Sequence, residues 1–225
     1  MESDAKMLIS VHVPKCAGSS FCQWLQATYS EENVYLDYCD GLTEPVSIVN
    51  IDPCGFLEKY RDGYPELEHK RVVHGHFWVK KYQYLKNAIR ITFLREPVER
   101  AISQYFYWLK FPHTGSVHSY FLDYKLSIEQ FCRLPLIQNI YTELFFRDVD
   151  MAVFDFIGGY SALGQELLRL GKILQVNVAL PEVNTNPSES YNIKVQEIRE
   201  NKTLLSKLQK LLAEDIRFYE KYAGR

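Results

Sequence analysis

The chain has 225 residues, enough for one domain over 1–225 that buries most of its apolar surface without metals or disulfides. Apolar residues make up 47% and charged residues 24%, a globular balance rather than a disordered or fibrous one. A net charge of −2 excludes wholesale electrostatic binding of nucleic acid.

Residues 7–13, Met-Leu-Ile-Ser-Val-His-Val, form a mostly apolar run of strand length, the pattern of a parallel strand buried on both faces. A short loop of small residues follows, and Ser19 is placed to cap a helix over residues 20–29. Residues 30–70 carry no clear period, although Asp52-Pro53 reads as an N-cap followed by proline at the first helical position. Residues 71–74 predict a short strand ending in a turn at Gly75. Residues 89–94 predict a second buried strand, and Pro97 opens an amphipathic helix to about Lys110. Ser127 and Gln130 have the spacing of a capping box. Residues 154–157 read as a strand stopped by Gly158-Gly159, and residues 161–174 as a helix. Residues 202–222 read as one long amphipathic helix with Leu204, Leu208, Leu211 and Leu212 on its apolar side. Strands alternating with helices predict an α/β fold, a P-loop-like three-layer arrangement with a central, mainly parallel sheet flanked by helices.

The loop after the first strand is Pro14-Lys15-Cys16-Ala17-Gly18-Ser19-Ser20. A turn between a parallel strand and a helix N-terminus offers outward N–H groups and the positive end of the helix dipole to an anion. Small residues permit close approach of a phosphate, Lys15 adds a positive charge, and Ser19 and Ser20 add hydroxyl donors. The order is not that of a Walker A loop, where lysine follows the last glycine. Further on, Arg95 ends a strand and Ser103 stands in the helix behind it. Both can face the crevice at the carboxyl ends of the strands and clamp a second phosphate.

Val11-His-Val-Pro-Lys-Cys-Ala-Gly-Ser-Ser-Phe21 resembles the 5′-phosphosulfate loop of sulfotransferases that use 3′-phosphoadenosine 5′-phosphosulfate (PAPS). Residues 92–105, with Leu94-Arg95-Glu96-Pro97-Val98-Glu99-Arg100, are similar to their 3′-phosphate segment. Val183-Asn184-Thr185 resembles the late loop that folds over the nucleotide, and residues 215–222 the closing helix. The nearest resemblance is to the Golgi-type carbohydrate sulfotransferases and their bacterial relatives, heparan sulfate 2-O-sulfotransferase among them. It implies PAPS as donor, 3′-phosphoadenosine 5′-phosphate (PAP) as product and no metal. Lys15, Cys16, Ala17, Gly18, Ser19, Ser20, Arg95, Ser103, Asn184 and Thr185 would hold the nucleotide. Cys16 and Ala17 stand where the family has threonine and glycine, so one hydroxyl donor is missing. Asn186-Pro187 replaces basic residues common after the late loop.

Sulfuryl transfer needs an aligned donor, neutralisation of the leaving phosphate and a base for the attacking hydroxyl. Lys15 is the neutralising group that the resemblance implies. Val72-Val-His-Gly-His-Phe-Trp78 is similar to a His-Gly-His run in which the second histidine is the base, which maps to His76, with His74 orienting or assisting. Two turn histidines held by backbone carbonyls are the plainer alternative. His12 is expected in the core, and Glu96 is expected to support Arg95 by a salt bridge. The stretch from Lys70 to Arg95 holds basic residues, Lys80 and Lys81 among them, and no Asp or Glu. It is either a solvated face or a rim attracting an anionic acceptor. Trp78, Tyr82, Tyr105, Tyr107 and Trp108 are either core or stacking faces for sugar rings. The reading is transfer of a sulfuryl group to a hydroxyl acceptor, a carbohydrate by resemblance. A P-loop nucleotide kinase and a non-catalytic glycan-binding module are the rivals.

The five cysteines, Cys16, Cys22, Cys39, Cys54 and Cys132, lack CxxC spacing and predict free thiols rather than a disulfide framework or zinc site. No signal-peptide pattern precedes the first strand, and no apolar run reaches the ~20 residues of a membrane span. A cytoplasmic protein is expected if the chain is complete. The luminal catalytic domain of a membrane-anchored protein is the alternative.

Overall fold

A computed structural model of the chain describes residues 6–111, 115–181 and 189–224. Five strands form one sheet: β1 (Met7–Val11), β2 (Val34–Asp37), β3 (Val72–Gly75), β4 (Ala88–Leu94) and β5 (Phe156–Gly159). Their order is β2-β3-β1-β4-β5, and every pairing is parallel. The longer helices are α1 (Gly18–Tyr29), α2 (Pro97–Lys110), α3 (Ser116–Asp123), α4 (Leu163–Leu174), α5 (Glu189–Glu200), α6 (Lys202–Leu211) and α7 (Ala213–Tyr222). This is the α/β arrangement expected, a central parallel sheet flanked by helices.

The central strand β1 is buried along Leu8, Ile9, Ser10 and Val11, as a strand paired on both edges must be. The strand ends at Val11, two residues earlier than its apolar run, so His12 and Val13 belong to the loop. β2 was hidden in the irregular stretch, because four edge-strand residues leave too little pattern to read. β5 lies two residues later than expected and includes the glycines meant to stop it. They pair with Phe93 and Leu94, and a side chain on Gly158 would press on the Phe93 and Phe156 rings. Glycine there answers to packing, not to a turn.

α1 opens at Gly18, and Ala17, with φ 64, stands at its N-cap without a side-chain cap. Ser19 therefore lies inside the first turn rather than capping it. The Asp52-Pro53 start and the Ser127–Gln130 capping box form as expected. The C-terminal helix is interrupted at Leu212 (φ −99, ψ 16), giving α6 and α7. Just beyond, the buried Asp215 carboxylate accepts from the Tyr141 and Thr142 N–H groups at 3.0 and 3.1 Å. One apolar core lies around the sheet and a second behind α2, and Leu144 packs against both.

Candidate active site

β1 feeds toward β2 on one side, while the connections after β3 and β4 lead to the other. The crevice at the carboxyl ends of β1 and β4 is thus a topological switch point, the usual ligand position in an open parallel sheet. A cleft of about 1180 Å³ occupies it. Lys15, Ala17, Gly18, Ser19, Ser20, His76, Arg95 and Ser103 all line it. Two motifs some 80 residues apart in the chain therefore meet in one cavity.

The loop of residues 12–17 is shaped for an anion. Lys15 (φ 69) and Ala17 (φ 64) both take left-handed backbone, the kind of turn that gathers successive N–H groups into a concave nest. The Lys15 ammonium lies 4.1 Å from the Tyr107 ring centroid. Burial, and then the Arg95 charge, bring its pKa down from 10.5 to about 8. Opposite, Arg95 is 4.6 Å from the Tyr160 ring centroid and 3.7 Å from the Glu99 carboxylate. Its backbone is pinned at both ends by Tyr141, whose hydroxyl donates to the Arg95 carbonyl at 2.6 Å and accepts from its N–H at 3.0 Å.

Cys16 departs from the expectation. Its side chain is 2% exposed, turned behind the loop toward Tyr141 rather than into the cleft, and burial raises the thiol pKa. A residue between two left-handed positions points away from the concave face, so only its backbone is available to a ligand. Glu96 also departs. Its carboxylate accepts from the Glu99 N–H at 2.8 Å and caps α2, while Glu99 is the acid beside Arg95. Glu99 is held in turn by Arg199 of α5 at 2.6 Å. Asn184 and Thr185 lie outside the described residues.

The histidines divide differently from the sequence reading. His74 is 1% exposed and does not line the cleft; its Nδ1 is hydrogen-bonded to Ser10 on the neighbouring strand at 2.9 Å. His12 and His76 do line it, with ring centroids 4.4 Å apart. His12 stacks on His74 at 5.1 Å and its Nδ1 is hydrogen-bonded to the Tyr38 hydroxyl at 3.0 Å. Burial lowers the pKa of all three, to about 4 for His74 and about 3 for His76, so each is neutral near pH 7. The His76 Nε2 has no hydrogen-bond partner.

Two glycines make this cluster possible. A side chain on Gly18 would collide with the His12 imidazole, and one on Gly75 with the Asp37 carbonyl. Sequence reasoning missed His12 and Tyr38 as cleft residues. The signal for His12 was its place just before Pro14-Lys15; placing it inside the strand hid it. Tyr38 lies in the irregular stretch and left none.

Of the lysine and arginine side chains from Lys70 to Arg95, Arg95 alone lines the cleft among the described residues. Lys81 is buried, its side chain 3% exposed, between Asp37 at 2.8 Å and Asp40 at 2.6 Å. Burial alone would lower its pKa, but the two carboxylates more than offset this and hold it charged. Lys70 and Arg71 precede β3, at the amino ends of the strands, and Arg90 bonds the Tyr82 and Leu85 carbonyls. Of the aromatics, Tyr107 and Trp108 line the cleft, Trp78 and Tyr82 are core, and Tyr105 packs on Phe121 and Phe131.

A parallel sheet with a left-handed, lysine-bearing loop after its central strand, beside an arginine at the end of the neighbouring strand, defines a P-loop-like α/β protein with a cleft at its switch point. Residues 1–129, more than half of this chain, match the Sulfotransferase family (Sulfotransfer_2), and the chain belongs to it. No curated protein matches the sequence. Among solved structures, a sulfotransferase from Alicyclobacillus acidocaldarius is similar at 15% identity and TM-score 0.37, over 92% of this chain and 96% of that one. Mouse sulfotransferase SULT7A1 complexed with PAP is similar at 16% identity and TM-score 0.36, over 86% of this chain and 63% of that one. Likeness at that level carries no argument about chemistry.

Proposed function

We propose that the protein transfers the sulfuryl group of PAPS to an acceptor hydroxyl in this cleft. The observation that carries the reading is the convergence of Lys15, Arg95, Ser103 and His76 on one cavity at the switch point. The backbone of residues 14–20 holds the 5′-phosphosulfate, and Arg95 and Ser103 hold the 3′-phosphate. Asn184 and Thr185 are assigned to the nucleotide by the family motif alone. The acceptor oxygen attacks sulfur in line as the bond from sulfur to the 5′-phosphate oxygen breaks. Lys15 neutralises the charge left on that phosphate, and His76 takes the hydroxyl proton. His74 acts through His12, against which it stacks, as a positioning group.

The acceptor is proposed to be a sugar hydroxyl, on the resemblance of the His-Gly-His segment. Family membership weighs against the kinase reading and against a binding module without catalysis. PAP release from PAPS over a panel of glycans, phenols and lipids tests the reaction. His76→Ala is expected to lower kcat by roughly 100- to 10,000-fold while PAP still binds. Wild-type turnover in His76→Ala with loss in His74→Ala would move the base to His74 and overturn this assignment.

A further inference from the structure

An apolar pocket of about 600 Å³ adjoins the cleft and shares Thr43, Ser116 and Val117 with it. Its size is that of a small-molecule site. Leu42 and Pro45 from the loop after β2, Val117 of α3, and Leu134, Leu136 and Leu144 from the segment around and after Pro135 supply its apolar wall. Its polar groups are largely committed elsewhere. The Asn50 amide donates to the Leu42 and Glu44 carbonyls and to Ser47 Oγ at 2.8–3.1 Å. Ser116 Oγ donates to Glu44 at 2.7 Å, at the passage between pocket and cleft. Asn139 and Glu143 complete the polar lining. Thr43, Asn139 and Glu143 leave a polar fringe, but the wall is mostly apolar, so an apolar group gains by its burial here. The Glu44 carboxylate on the cleft wall, with Lys81 tied up in its own ion pairs, disfavours an anionic acceptor.

We infer that this pocket holds the non-reacting part of the acceptor, so that the acceptor is an uncharged amphiphile: a hydroxyl-bearing head at His76 joined to an apolar aglycone in the pocket. The inference rests on the sulfotransferase reading of the cleft and narrows its substrate class from glycans at large to glycosides with an alkyl or aryl tail. The shared wall is the reason for choosing the acceptor as occupant: a molecule bridging Thr43 and Val117 has one end in each cavity.

The test compares methyl, butyl and octyl glucosides, below their micelle concentrations, by calorimetry with PAP present and by KM with PAPS. Each methylene buried contributes at most about fourfold, the equivalent of ~0.8 kcal/mol. The octyl glucoside is expected to bind at least ~10-fold more tightly than the methyl, on that scale a modest share of its added chain. Tyr120→Asp and Leu134→Asp, each placing a charge in the apolar lining, are expected to collapse the octyl-to-methyl ratio toward one. The PAP-induced rise in Tm reports that each variant is folded. Equal affinity for the three glucosides, or an octyl preference untouched in both folded variants, overturns the inference. Octyl binding that persists where no glucoside yields PAP would count against the reaction assigned to the cleft, not against the apolar specificity of the pocket.

Discussion

Lys15 offers a sharp test of the proposed nucleotide site, because burial and the Arg95 charge weaken its hold on a proton. With a pKa of about 8, it is mostly protonated at pH 7 and mostly neutral at pH 9. A phosphate group placed against it stabilises the ammonium and returns the pKa toward its ordinary value. PAP binding must then take up protons: about 0.1 at pH 7, about 0.5 at pH 8 and about 0.9 at pH 9, from the titration of a single group. The same linkage makes PAP bind about tenfold more weakly at pH 9 than at pH 7, ~1.4 kcal/mol. Four groups around the cleft do not titrate in this window. His12, His74 and His76 titrate far below it, and burial pushes the Tyr38 hydroxyl above it. Titration calorimetry at pH 9 in two buffers of different ionisation enthalpy measures the uptake directly. Lys15→Arg, charged throughout, is expected to abolish it. Zero uptake in the wild type, or uptake that survives in Lys15→Arg, would refute the placement of a phosphate at Lys15.

PAP is expected to raise Tm markedly more than AMP, and Arg95→Ala with Ser103→Ala to erase the difference; equal stabilisation by both nucleotides in the wild type would remove the 3′-phosphate from this pair. Lys81→Ala is expected to destabilise the fold by about 3–5 kcal/mol in chemical denaturation, since it leaves the buried Asp37 without its cation. A change below ~1 kcal/mol would mean that Lys81 is solvated, and would restore it as a candidate for the cleft rim.

The sheet was legible where the chain is buried on both faces. The runs around Ile9 and Ile91 are central strands and leave the longest apolar signals. The edge strands gave way first: β2 left no signal, and β5 slipped because Gly158 was read as a stop when it is a site of close packing. The tight turn of residues 14–18 before α1 was legible because its geometry is local. Ser10 and His74 show the opposite case. Their hydrogen bond depends on β1 and β3 being neighbours in register, a fact of topology that spacing 64 residues apart cannot carry. The basic run misled for a related reason. Charge counted along the chain says nothing of which end of the strands it reaches, and Lys81 was already paired with Asp37 at the end of β2 and Asp40 just after it.

Two positive charges meet at the switch-point cleft. Lys15 and Arg95 repel one another, which is part of why the Lys15 pKa is low. They are held near each other, with the Arg95 guanidinium 3.5 Å from the Lys15 carbonyl, because Tyr141 fixes the Arg95 backbone and the left-handed turn fixes that of Lys15. On the proposed assignment each cation receives its own phosphate, which replaces the mutual repulsion with two attractions. The histidines work in the same sense. His76, held neutral by burial, is a proton acceptor from the start but a weak one, with its pKa near 3. Negative charge arriving with the donor raises that pKa and strengthens the base. With His76 as the proposed base, proton abstraction would improve only once the donor is seated, so that the acceptor hydroxyl is activated where there is sulfur for it to attack.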